Sequence, residues 1–165
     1  MAVPGTRDVI DGIFADAATG DLEAVLRWWH DDGTLEDVTL AQAFVGKPAL
    51  RDYLDMYYRA LPEVQYEPIR LIVSGETAMV EWMQTARISG VFDGVQADGR
   101  EVVLHAMDVF HVVDGLIVHE VSWYGDGWLR QRLEGMAGLP PALDLTPPLA
   151  ADGARFGADG TEWRA

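Results

Sequence analysis

Two carboxylates stand out in this chain for the chemistry they could do. Asp108 lies in Leu-His-Ala-Met-Asp-Val-Phe-His-Val-Val-Asp-Gly-Leu-Ile-Val, mid-strand in an otherwise apolar run. A carboxyl there is costly unless it is protonated, paired or put to use. Asp37 lies in Gly-Thr-Leu-Glu-Asp-Val, about seventy residues earlier and just past a helix. If one apolar pocket holds both, they form an acid/base pair. Burial raises the pKa of Asp108, and a neutral carboxylic acid donates a hydrogen bond to a developing enolate oxygen. Asp37, nearer the mouth, takes a proton alpha to a carbonyl. The plainer alternatives are a salt bridge from Asp108 to Arg87 or Arg70, and a loop role for Asp37, bonding backbone N–H groups.

The elements that must position them follow from periodicity. Val9, Ile10, Ile13, Phe14 and Ala17 share a face and predict a helix over 9–18, stopped by Thr19-Gly20. Asp21 caps a second helix with Leu22, Val25, Leu26 and Trp29 inward, ended by His30-Asp31-Asp32-Gly33. Thr34 to Val38 is a short strand, and a loop runs on through Gly46. Pro48 suits the first turn of a third helix, whose stripe is Leu50, Tyr53, Leu54, Tyr57 and Tyr58. Strands follow around Ile69 to Val73, Thr77 to Ile88, Glu101 to Val113 and Leu116 to Tyr124. Gly90 to Gly99 makes one turn, and Asp114-Gly115 is a two-residue hairpin signal. Asp126 caps a last short helix that Gly135 stops.

This order predicts an α+β fold, with helices grouped against one face of a curved antiparallel sheet around a cone-shaped apolar cavity. Residues 1–135 form its single domain. Residues 136–165, rich in Pro, Gly and Ala and without periodicity, read as an irregular tail.

Strand alternation decides what shares the cavity. If Asp108 points in, so do Leu104, Ala106 and Phe110, while His105, Met107, Val109 and His111 face the other way. On the return strand Glu120, Ser122 and Tyr124 fall on the Asp108 side, making Glu120 and Tyr124 candidate pocket groups. Phe14, Trp29, Tyr53, Trp82 and Phe110 are the candidate aromatic and apolar lining. Such a lining suits a small, flat, hydrophobic cyclic ligand.

Composition narrows the partners. The net charge of −15 argues against nucleic acid and anionic membrane. No apolar run is long enough to span a bilayer. The chain has no cysteine, which excludes disulfides and thiolate metal sites, and no secretory signal is visible at its start; a reducing cytoplasm fits both. His105 and His111 are too far apart along a strand to chelate together, so no metal site is expected. No phosphate loop or nucleophilic triad is visible either.

These elements together resemble the nuclear transport factor 2-like superfamily, over about residues 8–134, with ketosteroid isomerases and SnoaL-like polyketide cyclases the nearest likeness. Asp31-Asp32-Gly33-Thr34-Leu35-Glu36-Asp37 resembles the isomerase segment that carries the general base, which implies Asp37 as base. His105-Ala106-Met107-Asp108-Val109-Phe110 resembles the strand whose protonated aspartate donates to the oxyanion, which implies Asp108 as donor. Phe44-Val45-Gly46-Lys47-Pro48-Ala49-Leu50 resembles the entry to helix three, and Asp114-Gly115-Leu116-Ile117-Val118 the superfamily's hairpin.

The departures are specific. The second oxyanion donor of ketosteroid isomerases, a helix-one tyrosine, falls at Ile13 or Phe14, which cannot donate. The supporting tyrosines fall near Trp29 and Leu54, of which only Trp29 carries a donor. The Asp-Arg-Asp set of limonene-epoxide hydrolase falls near Gln84, Trp82 and Ser122, which argues against that chemistry.

The expectation is a cofactor-independent isomerase or cyclase acting on a small hydrophobic carbonyl compound. The alternatives are a non-catalytic hydrophobic-ligand or dimeric interaction module, and a dehydratase or hydrolase on the same fold. The resemblance also implies a homodimer through the outer sheet face.

Overall fold

The computed structural model describes residues 3–92 and 95–125. The expected helix from Asp126 and the 136–165 tail lie outside these residues. Helix α1 spans Thr6–Ala17, α2 Leu22–Leu26 and α3 Gly46–Ala60. Six strands form one sheet: β1 Trp29–Asp37, β2 Gln42–Val45, β3 Gln65–Ser74, β4 Thr77–Phe92, β5 Val95–Val113 and β6 Leu116–Tyr124. Their order is β2-β1-β6-β5-β4-β3. All neighbours run antiparallel except β1 and β6, which are parallel. The α+β class and the curved sheet with helices on one face are as the sequence predicts.

Local chemistry accounts for the boundaries. Val9, Ile10 and Ile13 give α1 its buried stripe. The Asp21 side chain accepts from the Glu23 and Ala24 amides, capping α2. Gly20, at φ 70°, supplies the left-handed residue between these helices. Asp114 and Gly115, at φ 51° and 78°, make the tight hairpin that sets β5 against β6.

Three local expectations change. Helix α2 stops at Leu26, and Trp29 to Gly33 begin β1 instead of ending a helix. Gly33 makes this possible. A Cβ there would lie 3.0 Å from the Trp29 ring and 3.1 Å from the Ile117 carbonyl oxygen, so a larger residue would crowd the bulge of β1 against β6. The loop before Gly46 contains β2, which pairs with the end of β1. The stretch between Gly90 and Gly99 continues the β4–β5 ladder, with Phe92 paired to Val95.

The helices pack on the concave face. Val9, Ile10, Leu50, Trp29, Val80 and Ile117 are almost fully buried between the layers. Leu61, Val64, Ala86 and Leu104 form a second, smaller cluster under the end of α3.

Candidate active site

Register brings the two aspartates together. Asp37 on β1 pairs with Ser122 on β6, and Ser122 pairs with Asp108 on β5. All three are buried and lie in one row across the sheet. Strands spaced about 4.8 Å apart put the two aspartate Cα atoms about ten Å from each other.

Asp108 lines the cavity. Its Oδ2 accepts from the Trp82 indole N–H at 2.5 Å, while Oδ1 has no partner that meets hydrogen-bond geometry. No ion pair reaches it among the described residues; Arg70 pairs with Glu81 at 3.6 Å, and Arg87 donates to the Gly99 carbonyl. The salt-bridge alternative is therefore not realised. Burial pushes its pKa from 3.8 up to about 7, against the opposing effects of the Ser122 hydroxyl and the Trp82 N–H, and the nearby Asp37 adds to the rise.

Asp37 sits differently. It is 1% exposed and is not among the residues that line the cavity, so it does not stand at the mouth. Its Oδ2 accepts from the Tyr53 and Tyr124 hydroxyls, each at 3.1 Å, and its Oδ1 from the Leu40 amide at 2.9 Å. The backbone bond is the turn role that a loop aspartate commonly plays. The tyrosine bonds put Asp37 one hydroxyl behind the cavity wall, since Tyr53 and Tyr124 do line it. Thr39 fixes this corner, its hydroxyl donating to the Tyr124 carbonyl at 2.9 Å.

Around Asp108 the cavity encloses about 790 Å³ of empty space, its open mouth included. Phe14, Trp29, Tyr53, Trp82, Phe110, Glu120 and Tyr124, all singled out in the sequence, line it. Phe14 and Trp82 meet edge to face, with ring centroids 6.0 Å apart. The Trp29 indole N–H is buried and without a partner. Burial and the neighbouring Asp108 and Asp37 carboxyls hold Glu120 well above the usual carboxylate range. Burial likewise pushes up the Tyr53, Tyr57 and Tyr66 hydroxyls, and takes Tyr58 to about 12.

Sequence reasoning placed Tyr57 and Tyr58 only in the helix stripe and passed over Tyr66, yet all three line the cavity. The Tyr57 hydroxyl donates to Gln84 Oε1. The available signal was residue type: five tyrosines, Tyr53, Tyr57, Tyr58, Tyr66 and Tyr124, converge here, and tyrosine is the aromatic that keeps a polar tip at an apolar surface. Among the described residues no Lys, Arg or His lines the cavity. Among the described residues no group of three or more His, Asp or Glu could hold a metal ion. His105, His111 and His119 lie on the outer face, near Glu81, Glu76 and Glu36 at 3.1, 4.0 and 3.1 Å.

Solved structures share this architecture. AclR from Streptomyces galilaeus, assigned as a hydroxylase, superposes with a TM-score of 0.71 at 21% identity over 82% of this chain and 84% of its own. A protein from Jannaschia sp. CCS1, assigned as a SnoaL-like polyketide cyclase, gives 0.72 at 15% identity over 82% and 93%. IdmH from Streptomyces antibioticus, assigned as a polyketide cyclase, gives 0.67 at 18% identity over 78% and 98%. Sequence comparison with curated proteins finds no match. The pattern of the SnoaL-like domain matches residues 10–120, which span α1 through most of β6 and include Asp37, Asp108 and Glu120. With that match over most of its length, and with the fold to accompany it, this chain belongs to the SnoaL-like domain family of the nuclear transport factor 2-like superfamily.

Proposed function

We propose that this chain is a cofactor-independent acid/base enzyme, a cyclase or isomerase acting on a small hydrophobic cyclic carbonyl compound. One observation carries the reading. Asp108 lines an aromatic cavity that has no Lys, Arg or His among the described residues, and its buried Oδ1 finds no partner in hydrogen-bond geometry there. Held protonated, it donates to a substrate oxygen as negative charge develops there. Asp37 is the terminal base. A substrate α-proton passes to the Tyr53 or Tyr124 hydroxyl as that hydroxyl gives its own proton to Asp37. The assignment of fold relatives as polyketide cyclases supports cyclisation within this class.

The test needs no knowledge of the natural substrate. Exchange of the α-protons of 2-tetralone in D₂O is followed by proton NMR. The wild type is expected to accelerate exchange, and Asp108→Asn to lose about a hundredfold or more of that acceleration. Unchanged exchange in the variant would sink the reading.

A second reading, a binder of hydrophobic ligands without turnover, is favoured by the fully occupied oxygens of Asp37. It predicts tight tetralone binding with no exchange.

The chain is also proposed to form a homodimer through the outer sheet face. There Met107 and Trp123 face each other across β5 and β6, 43% and 41% exposed. Light scattering on wild type and Met107→Lys is expected to give dimer and monomer respectively; a monomeric wild type rejects this.

A further inference from the structure

Glu120 is a buried acid to which the chemistry above gives no role. It is 8% exposed and lines the cavity. It pairs with Phe110, one two-residue step from the Ser122–Asp108 pair and on the same face. That makes it a diagonal neighbour of Asp108, about 7–8 Å away between Cα atoms and within side-chain reach of the same ligand.

Among the described residues its surroundings hold no counter-charge. Asp108 faces it from β5, Asp37 from β1, and Tyr53 and Tyr58 from α3. Helices α1 and α2 add only apolar lining, Ile13, Phe14, Ala17 and Val25. The Glu120 carboxyl makes no hydrogen bond or ion pair among the described residues. A second unpaired carboxyl in one apolar cavity has a high desolvation cost if charged, so it stands as a neutral donor.

We propose that Glu120 is a second catalytic acid of this cavity: Asp108 holds the enolate oxygen, while Glu120 protonates a second carbonyl oxygen of the same substrate. This rests on the acid/base reading above and narrows its substrate to an uncharged compound with two carbonyl groups that close a ring. The enolate carbon bonds to the second carbonyl carbon. The C=O π pair moves onto that oxygen, which takes the Glu120 proton and becomes a hydroxyl. The proton lost from the α-carbon rests on Asp37, and proton exchange with water returns Asp37 to the carboxylate and Glu120 to the acid. No redox partner is needed.

The test separates the two steps. Proton exchange on 2-tetralone reports the first, and closure of heptane-2,6-dione to 3-hydroxy-3-methylcyclohexanone, followed by NMR, reports both. Glu120→Gln, checked for folding by thermal melting, is expected to lose closure by about a hundredfold and to lower exchange at least tenfold less than that. Glu120→Asp is expected to recover part of closure. Closure unchanged in Glu120→Gln, or exchange and closure lost equally, overturns the second-acid role. Wild-type exchange without any closure overturns it while leaving the acid/base reading standing. A wild type that does neither overturns both.

Discussion

Asp37 and Asp108 occupy the same row of the sheet and are buried to nearly the same degree, yet their surroundings are opposites. Three donors converge on Asp37 and use both of its oxygens. Asp108 receives one indole N–H, and its other oxygen has no partner in hydrogen-bond geometry among the described residues. Burial alone does not make a carboxyl reactive. What separates the two is how many of their lone pairs the fold already satisfies. A satisfied carboxyl stabilises the fold and acts only through its donors, whereas an unsatisfied one weakens the fold and is available to a ligand.

The largest effect that sharpens this contrast is on stability, and it has opposite signs at the two positions. Asp108 titrates near 3.8 when unfolded and near 7 when folded, so over that window the native state binds more protons than the unfolded chain. Its contribution therefore falls as pH rises from about 4 to about 7, by roughly 4 kcal/mol at most. Asp108→Asn is expected to flatten this slope and to raise the denaturation midpoint at pH 8, while leaving it little changed near pH 4. Asp37→Asn should instead destabilise at pH 8 by about 1–3 kcal/mol, because it faces donors with an amide that can no longer accept from all of them. Urea unfolding of the two variants decides the matter, and shifts of the same sign would break the contrast.

A smaller effect is expected from Tyr53→Phe. It removes one of the two hydroxyls on Asp37 Oδ2 and should cost about 1 kcal/mol. Because Tyr124 still reaches Asp37, tetralone exchange should fall only severalfold. A loss as deep as that of Asp108→Asn would make Tyr53 the sole relay.

Much of this was legible in the chain. Alternation along Leu104, Ala106, Asp108 and Phe110 told which face was inward, and the same rule carried Glu120, Ser122 and Tyr124 into the cavity. Trp29 was assigned to a helix and lies in a strand, yet it lines the cavity, because either reading buries so large an apolar ring. The Gly33 bulge was not legible. Part of the steric demand on it comes from Ile117, which is distant in sequence, and part from the Trp29 ring, which is placed by the fold. Nor was the sheltering of Asp37, whose tyrosine partners come from α3 and from the far end of β6.

Local pattern in the chain suffices for the class of the fold, the inward faces of β5 and β6 and the two aspartates worth watching, since periodicity and the cost of a mid-strand carboxyl are local properties. It took the folded arrangement to settle which carboxyl is satisfied, that β1 and β6 run parallel, and that Glu120 stands beside Asp108 without a cation among the described residues. Those are matters of pairing between distant segments, and hydrogen-bond satisfaction exists only once the partners have met.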